Sequence, residues 1–249
     1  MTKRNVLWSI ALLLLCALPL LAQTGTDPRI TQADKLYAER ADLTKVKNAI
    51  GLMSDLLRND PKNFEAAKRL GEYYYFLGKR VPEDQRLDVF QHGMDVSRKA
   101  IEIDPNKADG YFWLATNEGM YAETKGIMKS LSMRKEVRAN FEKANQIDEK
   151  CYGGGPLRGL GRWDYRVPGL FGGDKKRSVQ ELEKSLQIDP GNSLTKLYLA
   201  DSYMEVGRKE DARKQWQEVL TMTPNPRWSV EHKEDMEVAR AMLKKYFKQ

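Results

Sequence analysis

Histidine and cysteine are nearly missing from this chain, two of each among 249 residues. His92 and His232 fall in no His-x-x-x-His or comparable spacing, so an imidazole-built metal centre is not expected. Cys16 belongs to an apolar N-terminal run, which leaves Cys151 as the one thiol beyond it. A single thiol closes no internal disulfide, and beside Tyr152, with no base nearby, it reads as a packed small hydrophobe. No Gly-x-Ser-x-Gly elbow occurs, and no glycine-rich loop ends in Lys-Ser or Lys-Thr. Nor is charge of one sign concentrated anywhere. The 42 Lys+Arg and 35 Asp+Glu leave a net +7, but segments such as KNAIGLMSDLLRND and RKEDARKQWQEV alternate in sign. Nothing there tracks a phosphate backbone, so nucleic acid is not an expected partner. These gaps argue against an enzyme, and no cofactor or metal is expected.

What recurs instead is a helix stop. Asp60-Pro61, Asp104-Pro105, Asp148-Glu149, Asp189-Pro190 and Thr223-Pro224 are spaced 44, 44, 41 and 34 residues apart (positions 60, 104, 148, 189 and 223). Each follows an amphipathic stretch, which is the footprint of stacked helix-turn-helix repeats. After Ser193, the residues Leu199, Ala200, Tyr203, Gly207, Ala212, Trp216 and Pro224 occupy the tetratricopeptide positions. The alanines let two helices approach, the large residues fill the gaps, Gly207 can turn left-handed and Pro224 cannot continue a helix. The same grammar recurs around Leu70, Gly71, Tyr74 and Gly78, and again around Leu114, Ala115 and Gly119. The expected fold is all-α: five helical hairpins in an α-solenoid, with the stripe Met236, Ala239, Leu243, Tyr246 forming a C-terminal capping helix. Extra residues in three consecutive units mark one edge of the stack as a working face.

Residues 1–22 read as a signal peptide and 23–249 as the repeat domain. Lys3 and Arg4 precede the 17-residue run VLWSIALLLLCALPLLA, which is short for a bilayer and carries Pro19 near its end. Leu15 precedes Cys16 where a lipoprotein signal wants a small residue. A periplasmic or otherwise extracytoplasmic protein with no span in the mature chain is expected, an uncleaved anchor being the alternative.

The stretch CYGGGPLRGLGRWDYRVPGLFGGDKK offers amides and Lys175, Lys176 to an anion, but Asp174 is placed to cap the following helix itself. Its motifs Tyr152-Gly153, Pro156, Arg158, Leu160-Gly161, Pro168-Gly169 and Gly172-Gly173-Asp174 resemble the T-component family of TRAP transporters. They are also similar to the tetratricopeptide-like domain of regulator-of-microtubule-dynamics proteins. The resemblance runs from about Asp109 to Tyr246. It implies an extracytoplasmic helical protein that assists solute uptake by contacting a solute-binding receptor, with homo-oligomers possible in the family.

In such arrays the first helix of each hairpin lines the concave face. Counting from the repeat positions places Tyr75, Phe112, Thr116, Arg158, Arg162, Tyr165, Leu197, Asp201 and Met204 there, as candidates for binding a protein partner. Arg158 and Arg162, four apart on one helix, could grip a carboxylate together unless Asp164 or Asp201 pairs with them. Two alternatives accompany the uptake reading: a general envelope scaffold, and a carrier of a small hydrophobic ligand held by Trp113, Trp163, Phe171 and the segment 128–133. Mass spectrometry of the exported protein is expected to find Gln23 at the N-terminus; a chain still beginning at Met1 identifies an anchor.

Overall fold

The structure, a computed structural model, describes residues 27–248; the signal peptide expected at 1–22 lies outside them. Among the described residues are eleven α-helices: α1 (Pro28–Ala38), α2 (Leu43–Asn59), α3 (Phe64–Gly78), α4 (Glu83–Ile103), α5 (Ala108–Lys125), α6 (Ile127–Ile147), α7 (Gly155–Arg166), α8 (Lys175–Ile188), α9 (Ser193–Glu205), α10 (Lys209–Thr221) and α11 (Ser229–Phe247). They form five antiparallel hairpins and a cap, an α-solenoid. The recurring aspartates are the stops: Asp60, Asp104, Asp148 and Asp189 are the C-caps of α2, α4, α6 and α8. New helices start where Asp42, Asn63, Asp174 and Asn192 accept first-turn amides. Asp174 takes the amides of Lys176 and Arg177, so the start of α8 is already satisfied. Gly207 turns from α9 to α10 at φ 80°, a conformation that disfavours any Cβ.

The extra residues of the middle units are mostly helix. α4 and α6 each run 21 residues, against 13 for α9 and α10. Gly119, the turn glycine of the repeat grammar, therefore lies inside α5, and the turn falls at Gly126 (φ 107°). In the fourth unit the insertion is a loop with a 3-10 turn at Gly169–Phe171. A Cβ on Gly173 would sit 1.8 Å from the Val167 carbonyl oxygen, so only glycine passes there.

Three apolar clusters follow one another along the stack. Met53, Leu70, Tyr73 and Phe76 centre the first. Phe112, Trp113, Phe141 and Leu160 centre the second, where Cys151 is packed as a buried side chain whose pKa burial pushes up. Leu182, Leu199, Trp216 and Leu243 centre the third, and α11 covers it. Trp216 stacks on Tyr246 at 5.9 Å. No described helix is long and apolar enough to cross a membrane.

The array does not stay open. Ion pairs join α11 and the 3-10 turn before it (Pro226–Trp228) to the first two hairpins. Arg40, 6% exposed, donates to both carboxylate oxygens of Glu231 (2.9 and 2.6 Å) and to the Arg227 carbonyl (2.5 Å). Arg80 pairs with Glu234 at 2.6 Å, and Arg227 holds both oxygens of buried Glu72 at 2.8 Å. Val230 packs against the first cluster. Glu231 and Asp235 of α11 are engaged by Arg40 and Ser193. Removing Arg40 strands a partly buried carboxylate, so Arg40→Ala is expected to cost about 1.5–3 kcal/mol in urea unfolding. It should also raise the radius of gyration in small-angle scattering; unchanged dimensions would show that this contact does not hold the ring shut.

Candidate functional site

Closure turns the concave face into a cavity of about 830 Å³. First helices form its wall, each contacting the next: α3 with α5, α5 with α7, α7 with α9, α9 with α11. One side is apolar, built from Phe112, Trp113, Val137, Phe141 and Trp163. Phe112 anchors it, 4.8 Å from Trp113 and 6.1 Å from Phe141 between ring centroids. The Trp163 indole donates to the Arg134 carbonyl at 2.8 Å, which fixes that ring against α6.

The same cavity is also lined by charged side chains. Arg158 of α7 is 7% exposed, and its one acceptor among the described residues is the Gly153 carbonyl at 3.5 Å. Burial holds its pKa below the ordinary arginine value. Arg162, one turn on, pairs with Asp201 at 2.9 Å and lies 4.2 Å from the Tyr198 ring centroid. Lys79 lies over Tyr75, 5.5 Å from its centroid, and forms no ion pair among the described residues. Asp235 is buried, accepts from Ser193 Oγ at 2.6 Å, and is pushed up to about 6 by loss of water.

Of the residues counted onto the concave face, Tyr75, Phe112, Thr116, Arg158, Arg162 and Tyr165 lie on this wall. Leu197, Asp201 and Met204 do not. Leu197 is buried in the third cluster and Met204 packs against it. Asp201 reaches the site only through Arg162. The α9 surface facing the cavity is instead Leu194, Tyr198 and Glu205, a spacing of four and seven. A two-armed arginine grip does not form, because Asp201 occupies Arg162. Asp164 is fully buried between Arg138 and Arg177 and leaves Arg158 alone. Of the apolar ligand residues, Trp113 and Trp163 line the cavity; of the segment 128–133, Ser130 and Leu131 line it and Met133 is core, while Met128 and Phe171 are exposed outside it. Sequence reasoning missed Lys79, Tyr198, Trp228 and Asp235. Lys79 follows Tyr75 by one turn, so helical spacing held a signal for it, whereas Tyr198 lies off the 197, 201, 204 face that was counted. Trp228 and Asp235 arrive from the C-terminal segment, whose apolar stripe marks the capping helix and carries no sign of the cavity. Among the described residues no group of His, Cys, Asp and Glu could hold a metal ion.

A model of the regulator of microtubule dynamics protein 1-3 family matches residues 29–176, from α1 into α8. No curated protein matches the sequence significantly. Among solved structures, the chain is similar to a thermophilic TPR protein of Thermus thermophilus (16% identity, 86% of this chain and 97% of that one, TM-score 0.61). It is similar also to PilW, a widely conserved type IV pilus biogenesis factor (18%, 89% and 95%, TM-score 0.56). Pseudomonas aeruginosa PilF is a third (15%, 89% and 94%, TM-score 0.52). At these identities the likeness establishes the tetratricopeptide-repeat fold and nothing more specific.

Asp235 generates a pH test. Its folded pKa is raised, so the folded state keeps this proton longer than the unfolded chain does. Ionisation therefore removes stability as pH climbs from about 4 through about 6. Asp235→Asn is expected to gain on wild type by up to about 3 kcal/mol between pH 4 and pH 8 in paired urea titrations. A pH-independent difference would mean that Asp235 ionises as if exposed.

Proposed function

We propose, for a chain that belongs to the regulator of microtubule dynamics protein 1-3 family, an exported, non-enzymatic tetratricopeptide-type interaction module. It docks a protein partner at the mouth of its cavity and assists solute uptake outside the cytoplasm. The observation that carries the docking is a rim of exposed apolar side chains. Ile127 and Met128 at the α5–α6 turn are 74% and 78% exposed, and Leu170 in the α7–α8 loop is 90% exposed. Arg134 bridges the two tips, its guanidinium 5.4 Å from the Phe171 ring centroid, and an Arg166–Glu123 ion pair joins them again. Ile127, Leu131, Val167 and Pro168 also border the cavity, so this rim is its entrance. Solvated apolar side chains clustered at a cavity mouth favour a partner that covers them.

The rim is also basic. Lys125, Lys129, Arg134 and Lys135 meet no acidic residue between Glu123 and Glu136, so the partner surface it fits is apolar with acidic flanks. The leader at 1–22 and the resemblance to the T-component of TRAP transporters support an extracytoplasmic solute-binding receptor as that partner. His92 is spent on the Asp88 carbonyl (2.7 Å) and His232 is buried, which supports a binding role over catalysis.

A photo-crosslinking residue at Met128 or Leu170 is expected to capture the receptor in living cells, whereas one at Arg58 on α2 is not. Met128→Glu with Leu170→Glu should abolish capture with the melting temperature within about 2 °C of wild type, as for other exposed substitutions. Equal capture at Arg58, or adducts only with a second copy of this chain, would overturn the reading.

A further inference from the structure

Two arginines are buried among the described residues, and they are treated differently. Arg40 receives a carboxylate and a carbonyl. Arg158 donates one long bond, 3.5 Å to the Gly153 carbonyl, and forms no ion pair among the described residues. A guanidinium out of water without a counter-charge is costly, and proteins pair such groups. Nothing in the fold requires a cation at this place on α7. The group lies on the cavity wall, with Trp228 5.9 Å away as a flat neighbour.

Its surroundings define what would satisfy it. Two carboxylates act on it from a distance, Asp189 and Asp235. Asp189 is held by the Gly191 amide and Asn225 Nδ2, both at 3.2 Å, and Asp235 by Ser193 Oγ. Lys79 shares Tyr75, Tyr198 and Asp235 with Arg158 as electrostatic neighbours. Both carboxylates are engaged by other donors and neither forms an ion pair with Arg158 or Lys79 among the described residues, so the donors of the two cations remain open to a further acceptor. The planar fork of a guanidinium matches a carboxylate with two parallel hydrogen bonds. Phe112, Trp113 and Phe141 line the same cavity and suit an apolar body.

We propose that the cavity is a binding site for a small organic monocarboxylate with an apolar body, its carboxylate held by Arg158 with Lys79 as the second cation. This deepens the solute side of the reading above and leaves its docking side untouched. The ligand binds with the carboxylate toward α7 and α9 and the apolar end toward α5 and α6.

Isothermal titration of the mature full chain with 3-phenylpropionate, and with uncharged 3-phenylpropionamide, tests this. The acid is expected to bind at least about tenfold tighter than the amide, the value of one charge-assisted contact. Arg158→Gln should remove that preference and leave amide binding unchanged, while Lys79→Gln should reduce it severalfold. Equal binding of acid and amide by wild type, or no binding of either, overturns the proposal without recourse to any variant. An intact preference in a folded Arg158→Gln protein overturns the assignment to Arg158. Loss of receptor capture at the rim with the acid preference retained would sink the docking reading alone.

Discussion

The structure depends on a buried charge pair between its two ends. Helical hairpins stacked side by side generate a curved ribbon whose inner face is open to water. Here the guanidinium of Arg40, at the end of the first hairpin, is satisfied by Glu231 and the Arg227 carbonyl, which come from the last helix and the turn before it. Arg227 in turn neutralises Glu72, whose own burial raises its pKa. Each of these groups would be costly alone in a dry environment, and each is satisfied only when the ends meet. What was the concave side of a ribbon is thereby the inside of a vessel. Side chains there are desolvated by the closure itself, which is why Arg158 and Asp235 have shifted pKa values in opposite directions from the same cause.

The hairpins were legible in the sequence because each rule that makes them is local. An aspartate or proline ends a helix, an asparagine or aspartate starts the next, and alanines at the crossing permit close packing. Gly207 is written into the repeat and takes the left-handed turn expected of it. The inner face was legible on α3, α5 and α7, where the counted residues line the cavity. It slipped on α9, where Leu197 and Met204 serve the third cluster and the cavity side runs through Leu194 and Tyr198. Residues 197, 201 and 204 and residues 194, 198 and 205 all keep helical spacing, so periodicity alone does not choose between the two faces. The closure was not legible at all. Arg40 and Glu231 lie 191 residues apart and leave no periodic trace.

Insertions that break the repeat period were expected on a working edge. In α4 and α6 they are extra helical turns, and the lengthened α5 and α6 carry Ile127 and Met128 out to the rim. Length added to a helix and exposure of apolar residues at its tip are thus one event here. Arginine plays two roles across this molecule. At the ends and between α6, α7 and α8 it is an internal bolt, each guanidinium matched by a carboxylate. At buried Arg158 no carboxylate among the described residues makes that match, on the wall of the space that the bolts enclose.

The joined termini have one more effect. A linear stack has two places where thermal melting can begin, because its outermost repeats each have a single neighbour. Coupling the last helix to the first hairpin gives both of them a second neighbour, so the chain acquires something close to a periodic boundary. Loosening then has to start by breaking an interior contact, and the hairpins are held to open together, with the enclosed volume kept whole until they do.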